Sequence, residues 1–348
     1  ASEAGLTLLL NLAVFLFIDQ ILLFLRVPDE IWELMREYLL VIFCGIAATF
    51  LYNYFASLLR AVGNSITPLI FLAVSAILNI GLDLWFVVGL HRGVAGAAEA
   101  TVISQYVSGV GLGIYTWVRF PSLRPGRAHL RIRKETLREI AGFSMLTCVQ
   151  QSVMNLGILM VQGLVNSFGT TIMAAFAAAV KIDAFAYLPV QDFGNAFSTF
   201  IAQNYGAKKK DRIQTGLKGA VTVSVLFSIL LSAIVWIFSR PLMLLFVHAE
   251  ETEIIAEGIR YLHIEGAFYC GIGCLFLLYG LYRAVGRPGM SVVLTVISLG
   301  TRVILAYLLS AVPSIGVIGI WWAVPIGWFL ADAVGILYYL FRRKRLLP

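Results

Sequence analysis

Long uncharged stretches recur along almost the whole chain, and they restrict it to folds whose helices can lie in a lipid bilayer. Residues 61–82 and 219–239, for example, contain no Asp, Glu, Lys or Arg. Each is long enough to cross the hydrocarbon core, which takes about 20 apolar residues in helical form. The composition agrees, since 60% of the 348 residues are hydrophobic and 13% are charged, against about 45–50% and about 25% in soluble domains. This balance excludes a soluble enzyme, a disordered regulator and a nucleic-acid-binding domain.

Ten membrane-spanning helices are predicted from the hydropathy and from the positions of turn residues. The predicted fold class is therefore all-α, and the chain is a polytopic membrane protein. Several spans are longer than the hydrocarbon core requires, so we expect them to tilt or to project beyond it. The spans are 4–26, 32–60, 66–90, 94–118, 141–167, 172–203, 214–239, 253–282, 288–311 and 315–341.

Lysine and arginine residues are distributed unequally between the loops that join these spans. Loops on one side carry 19 of the 26, loops on the other side carry five, and Lys181 and Arg302 lie inside predicted helices. Because basic residues collect in cytoplasmic loops, the loop 119–140 and the C-terminus are predicted to be cytoplasmic. The expected location is a cell membrane, and specifically a prokaryotic inner membrane. The net charge of +7 follows from the same rule, without nucleic acid as a partner.

Two stretches of the chain coincide when the sequence is shifted by 223 residues. Arg60-Ala-Val-Gly63 then matches Arg283-Ala-Val-Gly286, and Gly93-Val-x-Gly96 matches Gly316-Val-x-Gly319. The register holds over more than 80 residues without a gap. Such self-similarity indicates an internal duplication of a helical unit, with both copies in the same membrane orientation.

The two copies differ in their number of predicted helices. The C-terminal lobe, 141–348, has six, whereas the N-terminal lobe, 1–118, has four, and 119–140 is predicted to be the cytoplasmic linker between them. We therefore expect a twelve-helix protein with two parallel-repeat lobes, of which the first two helices are missing from this sequence. The absence of Met at position 1 agrees with that expectation.

Three motifs make the chain resemble the MATE (multidrug and toxic compound extrusion) transporters. They are Arg60-Ala-Val-Gly-Asn-Ser-Ile-Thr-Pro68, then Asn79-x-x-x-Asp83 with Gly93-Val-Ala-Gly-Ala-Ala98, and Gln203-Asn-Tyr-Gly-Ala207 before three lysines. The resemblance spans the whole chain and implies two six-helix lobes. It implies a transporter and no enzyme, with Na⁺ or H⁺ as coupling ion and no other cofactor. The implied substrate is a small organic, often cationic, compound exported from the cell, and we expect a monomer in the lipid bilayer.

Asp83 is the strongest candidate for an ion-binding residue. A charge at mid-membrane costs at least ~2.5–3.5 kcal/mol, so this carboxylate needs a partner, an ion or a proton. Asn79 lies one helical turn before it on the same face, and an amide oxygen beside a carboxylate suits Na⁺. The resemblance adds Thr101 on the next helix, and it assigns a further Asp to a helix that this sequence lacks. The alternative is that Asp83 only hydrogen-bonds between helices near the outer interface.

A second group of polar residues predicts a substrate cavity in the C-terminal lobe. Arg302 takes the repeat position of Asn79, so it is expected to face the lobe interior, where Glu265 or Asp183 would neutralise it. Structural ion pairing is the alternative to contact with a substrate. The group comprises the polar residues within the predicted helices of this lobe: Gln150, Gln151, Asn155, Lys181, Asp183, Asp192, Glu265 and Arg302.

The remaining charged and aromatic residues are assigned to surfaces. Asp19, Glu99 and Asp332 are expected near the membrane interfaces. An aromatic set could stack on a cationic drug, but most of its members are expected to face lipid or the interface; the set is Tyr52, Tyr54, Tyr187, Phe193, Trp321 and Trp322. The predicted mechanism is alternating access, and Pro189 and Pro325 are candidate bending points because proline removes a backbone hydrogen bond.

Two other functions fit parts of the pattern. A lipid-linked sugar flippase of related fold would share the repeat and the topology, but it needs a more cationic cavity than Lys181 and Arg302 provide. An intramembrane enzyme would need clustered His, Asp or Cys residues. The four histidines are scattered along the chain and form no H-E-x-x-H motif.

Overall fold

The computed structural model describes residues 11–12, 14–24, 32–124 and 134–346 of the chain. These residues are predominantly helical, and no strand occurs among them. The chain divides into two compact units, Ala1–Arg133 and Lys134–Pro348. Part of the predicted linker, 125–133, lies outside the described residues, whereas 134–140 already belongs to a helix. The cytoplasmic location of the linker stays a prediction.

The N-terminal unit is built around one long helix, α5, which packs against the three helices before it. A π-helical turn, Leu84–Gly89, continues α4 directly, and a 3-10 turn, Pro121–Leu123, follows α5. The helices with described bounds are α1 (Ile18–Phe24), α2 (Trp32–Cys44), α3 (Ile46–Ala61), α4 (Ile66–Asp83) and α5 (Gly93–Arg119).

The C-terminal unit has a larger buried core, to which most of its helices contribute. Helix α7 packs against α8, α9 and α10, while α11 packs against α6 and α12. Its helices are α6 (Lys134–Asn166), α7 (Thr170–Gly206), α8 (Lys210–Met243), α9 (Thr252–Gly266), α10 (Tyr269–Ala284), α11 (Pro288–Ser310) and α12 (Val317–Leu346).

The prediction of an all-α, polytopic membrane protein is confirmed. Seven stretches of the described helices are long and apolar enough to cross a membrane, and the bent pair α9–α10 would supply an eighth. Two of the ten predicted spans are not among these eight. The span 94–118 is helical as α5, but its Gly, Ser and Thr residues lower its hydropathy. The span 4–26 lies partly outside the described residues.

The helix ends follow the sequence repeat. Both bounds of α10 (Tyr269–Ala284) lie 223 residues after those of α3 (Ile46–Ala61). Gly63 and Gly286 follow these two helices with φ of +88° and +74°, a left-handed conformation that glycine adopts at little cost. In both turns this glycine donates its N–H to the carbonyl three residues earlier, and the next residue donates to the carbonyl five residues earlier. This is the Schellman motif, which satisfies the last carbonyls of a helix.

The second pair of repeated turns precedes the last helix of each copy. Gly93 and Gly316 have φ of +56° and +55°, and each stands where α5 or α12 begins. Four of the six glycines that the 223-residue spacing singled out therefore adopt conformations that disfavour other residues. Each copy therefore contains the same two turns between helices, at Gly63 and Gly93 in the first and at Gly286 and Gly316 in the second.

Two predicted spans are interrupted, contrary to expectation. The span 32–60 breaks at Gly45, where a Cβ would collide with the Gln105 side chain of α5. The span 253–282 breaks between Gly266 and Tyr269, and the helices on either side differ in direction by 50°. Phe268, inside this second break, is the repeat equivalent of Gly45. Both copies thus interrupt their corresponding helix at the same position.

Trp321 was expected at a lipid-facing or interfacial surface, and the structure corrects that expectation. Its side chain is 1% exposed. The ring stacks on Phe176, with 5.4 Å between ring centroids, and meets Tyr261 edge-on at 5.0 Å. Aromatic pairs of this kind contribute about 0.5–1.5 kcal/mol beyond burial, so Trp321 belongs to the core of the C-terminal unit.

Gly109 tests how closely α3 and α5 must approach in the N-terminal unit. A Cβ at this position would lie 2.5 Å from the Ala48 carbonyl oxygen. We expect Gly109→Ala to lower the free energy of unfolding by about 1–3 kcal/mol, the usual cost of overpacking, as measured by thermal unfolding in detergent. Gly81→Ala is the matched control, because no atom lies within 4 Å of its Cβ. Equal stability of the two variants would contradict the close approach.

Candidate functional site

The candidate ion site of the N-terminal unit forms where α4 packs against α5. The Asn79 Nδ2 atom donates to the Thr101 Oγ1 atom at 3.5 Å, and that hydroxyl donates to the Ala97 carbonyl at 3.0 Å. Asn79 and Thr101 are thus brought together as predicted. Asp83 follows one turn after Asn79, and its Oδ1 atom is shielded from solvent without a hydrogen-bond partner among the described residues.

Asp83 is also the last residue of α4 before the helix widens into the π-helical turn Leu84–Gly89. Here the Leu90 N–H bonds to the Trp85 carbonyl five residues earlier, at 2.9 Å. Single π-helical turns are rare and occur frequently at functional sites. Sequence reasoning missed this turn because its apolar residues read like those of an α-helix. At the repeat equivalent, α11 continues as an α-helix to Ser310.

These three side chains can together bind a small hard cation. Because Asn79 uses its NH₂ group towards Thr101, its amide oxygen is left to accept or to ligate. The Asp83 carboxylate and the Thr101 hydroxyl supply further oxygen atoms, the donor type that such cations prefer. The same carboxylate can accept a proton instead. The described residues contain no cluster of three or more His, Cys, Asp or Glu side chains arranged for a metal ion.

In the C-terminal unit the structure brings together Asp183, Glu265 and Arg302. The Asp183 and Glu265 carboxyl groups, on α7 and α9, lie within side-chain interaction range of each other, and the Arg302 charge acts on both. Glu265 is 1% exposed. The ion pairs within 4 Å in the described part of the chain all involve other residues. Arg302 therefore offsets the negative charge of the two acids without forming a direct ion pair with either of them.

Polar atoms around this cluster are buried and incompletely satisfied. Within the described residues, Asp183 Oδ1, Glu265 Oε2, Arg302 Nε and the Tyr269 hydroxyl lack a hydrogen-bond partner and are shielded from solvent. A buried polar atom without a partner costs about 1–3 kcal/mol. The cluster therefore contains buried oxygen atoms that a proton or an ion could occupy.

The other predicted cavity residues do not join this cluster. Gln150 is buried and donates to the Thr295 hydroxyl at 3.0 Å. Gln151, Asn155, Lys181 and Asp192 are exposed. The Lys181 Nζ atom lies 5.7 Å from the centroid of the Phe246 ring, a cation–π distance.

Asp332 is the functional candidate that sequence reasoning assigned wrongly. It was expected near a membrane interface, but its residue is 6% exposed in the core. The sequence repeat could have predicted this burial, because the equivalent of Asp332 in the first copy is Gly109, which lies on the buried face of α5. Asp19 and Glu99, by contrast, form ion pairs with Arg36 and Arg92.

Comparison with known proteins settles the family. The sequence profile of the MatE family matches residues 3–85 and 145–308, which is more than half of the chain. The chain belongs to the MatE family. The resemblance drawn from the three motifs is thereby confirmed, and the MatE chain is related to transporters rather than to enzymes.

Several bacterial relatives of this MatE chain are named as multidrug resistance proteins. It is 29% identical over 341 residues to "Probable multidrug resistance protein YpnP" of Bacillus subtilis, across 97% of this chain and 75% of the relative. It is 25% identical over 330 residues to "Probable multidrug resistance protein NorM" of Thermotoga maritima, across 91% and 69%. It is similar in fold to a MATE protein solved in a bent conformation, with a TM-score of 0.91, 22% identity and coverage of 98% and 76%.

The Asp183–Glu265–Arg302 cluster predicts an energetic coupling between its members. Arg302→Met leaves buried Glu265 and partly buried Asp183 without their cation, and Glu265→Gln removes one of those acids. We expect the double variant to be more stable than the two single effects predict, by a coupling free energy of about 0.5–3 kcal/mol, measured by unfolding in detergent. Lys181→Met combined with Glu265→Gln is the control, since Lys181 is exposed and on the opposite face of α7 from Asp183. Additivity in both pairs would disprove the coupling.

Proposed function

We propose that this MatE chain is an antiporter that exports organic cations in exchange for Na⁺ or H⁺. The observation that carries this proposal is the unpartnered, shielded Asp83 oxygen beside Asn79 and Thr101, at the end of α4. The names of the relatives support multidrug extrusion. We further propose a monomer in the cell membrane, with its linker and C-terminus cytoplasmic as the distribution of Lys and Arg between the loops indicates.

Ion binding at Asp83 would act on the helix that carries it. An ionised carboxylate within the membrane is costly, so occupancy by Na⁺ or a proton lowers the free energy of the conformation in which the site is closed. Because the π-helical turn starts at the next residue, a change of charge at Asp83 acts where α4 is already widened. Rewinding or shifting that turn is a discrete structural change that can be linked to alternating access.

The substrate-binding role is proposed for the polar residues of the C-terminal unit. Asp183 and Glu265 outnumber Arg302, so the cluster carries a negative charge when both acids are ionised, which suits an organic cation. Glu265 is buried in this conformation, and contact with a substrate therefore requires movement of α9. The break between α9 and α10 supplies a point at which that movement can occur.

Bends are described at two positions of the C-terminal unit besides the candidate prolines Pro189 and Pro325. Helices α7 and α12 continue through Pro189 and Pro325. The backbone departs from helical geometry at Phe238 in α8, three residues before Pro241, and in the break between α9 and α10. We propose these two positions as the hinges of the C-terminal unit.

The flippase alternative receives less support. Its substrate carries phosphate, which calls for several cations, whereas Lys181 lies on a Phe ring and Arg302 acts on two acids. The relatives carry names of multidrug resistance and export proteins.

Asp83→Asn should abolish drug export, because the amide can neither bind a proton nor carry the charge that holds Na⁺. The measurement is efflux of a fluorescent organic cation from cells that lack their own pumps, at matched abundance in the membrane. Asp211→Asn is the control, since Asp211 is an exposed residue in the first turn of α8. Export by Asp83→Asn at the wild-type rate would refute the proposal. Proteoliposomes given either a Na⁺ or a pH gradient identify the coupling ion.

Thr101 should tune the affinity of the site for the coupling ion. Thr101→Val keeps the shape of the side chain but removes the hydroxyl that Asn79 and the Ala97 carbonyl contact. A hydrogen bond contributes about 0.5–1.5 kcal/mol, so the ion concentration for half-maximal export should rise roughly two- to tenfold. Thr101→Ser retains the hydroxyl and should stay near the wild type. An unchanged half-maximal concentration in Thr101→Val would exclude Thr101 from the site.

A further inference from the structure

Asp332 is a buried acid that the proposed transport mechanism does not use. It lies within the apolar span Val317–Arg343 of α12 and is 6% exposed. Its Oδ1 atom is shielded and has no hydrogen-bond partner in the described part of the chain. The described ion pairs within 4 Å involve other residues. An acid in such surroundings must be neutral or meet a cation, because an isolated buried charge is too costly.

The repeat shows that the fold makes room for this side chain. In the N-terminal unit the equivalent residue is Gly109, which packs against the Ala48 carbonyl so closely that a Cβ would lie 2.5 Å from it. In the C-terminal unit the equivalent of Ala48 is Gly271, and a Cβ there would lie 3.8 Å from Asp332 Oδ2. The smaller residue has moved to the opposite helix. A tight helix contact in one unit thus corresponds to a niche for a carboxyl group in the other.

The groups around the niche do not include a cation that pairs with Asp332. Cys274 and Tyr279 on α10 lie close enough to Asp332 to interact electrostatically with it. Arg302 of α11 has its Cβ beside Gly327, five residues earlier on α12, and acts on Asp183 and Glu265. Among the described residues, the titratable and charged groups on α9, α10 and α11, which pack against α12, include Tyr261, Glu265, Tyr269, Cys270, Cys274, Tyr279, Tyr282 and Arg302.

The N-terminus of α10, which borders the niche, stabilises the ionised form of Asp332. Gly271 is the third residue of α10, which begins at Tyr269 directly after the break. The Gly271 N–H donates to the Phe268 carbonyl at 2.9 Å, so this turn offers Asp332 the positive end of the helix dipole and no free donor from Gly271. A helix N-terminus favours a nearby negative charge by about 0.3–1 kcal/mol. A carboxyl group between an apolar core and a helix N-terminus can therefore exchange its proton without leaving its niche.

We propose that Asp332 is a proton-binding site of the C-terminal unit, with the hydrogen ion as its ligand. Release of the proton creates a charge against the first turn of α10, and so acts on the bend between α9 and α10. The site does not depend on the proposed ion site at Asp83. Its proton binding can be measured on the purified chain without transport, so either proposal can fail alone.

Infrared difference spectroscopy of the full chain in detergent tests the proposal. Above the pH at which solvent-exposed aspartates ionise, lowering the pH should produce a C=O absorption of a protonated carboxyl group that Asp332→Asn lacks. Asp211→Asn should leave this absorption intact, since Asp211 is exposed. Identical spectra for the wild type and Asp332→Asn would overturn the proposal.

A second variant keeps the test decisive if Asp332→Asn does not fold. Asp332→Glu retains the acid but shifts its carboxyl group by one methylene within the niche. The absorption should then move in frequency and titrate at a different pH rather than disappear. An absorption that stays unchanged in Asp332→Glu belongs to another residue and would overturn the proposal.

Discussion

The cost of a charge inside an apolar helix bundle governs the functional part of this structure. Such a charge must find a counter-charge, a bound ion or a proton. Three solutions occur among the described residues. Arg302 balances Asp183 and Glu265 at a distance, Asn79 stands one turn from Asp83, and Asp332 has a niche without a cation. In the functions proposed above, each unit contains an acid whose ionisation state acts on the packing of a specific helix.

Close helix packing provides the rigid frame for these acids. At Gly109 in the first unit and at Gly327 in the second, a Cβ would collide with a carbonyl oxygen of the neighbouring helix. Small residues allow such approach, and in membranes they replace the hydrophobic driving force that lipid does not provide. Gly271 and Asp332 stand where the first unit has Ala48 and Gly109, and these two changes of residue size replace a close helix contact with a niche for a carboxyl group. Packing and chemistry are thus decided at the same positions.

Much of the fold could be predicted from the sequence, because its signals are local. Apolar stretches gave the helices, and the 223-residue spacing located the glycine turns at Gly63 and Gly286. The pairing of Asn79 with Thr101 also followed, through the family resemblance. The breaks at Gly45 and Phe268 could not be predicted, since hydropathy is continuous across them. The π-helical turn could not be predicted either, since its residues are as apolar as those of the helix before it. The burial of Trp321 and Asp332 was missed because an apolar helix has no polar face that shows which side is in contact with lipid.

The Schellman turns at Gly63 and Gly286 have a consequence for the origin of the two copies. The hydrogen bonds of each turn involve only backbone groups within a few residues of its glycine. A chain segment that contains the turn therefore reverses its direction without help from other parts of the fold. A copied gene segment would then encode a helix hairpin that needs no adjustment to its new surroundings. The two copies could then diverge in the side chains of their helices while the turns stayed the same. Asp83 and Asp332 are such differences, since their repeat equivalents are Ala306 and Gly109.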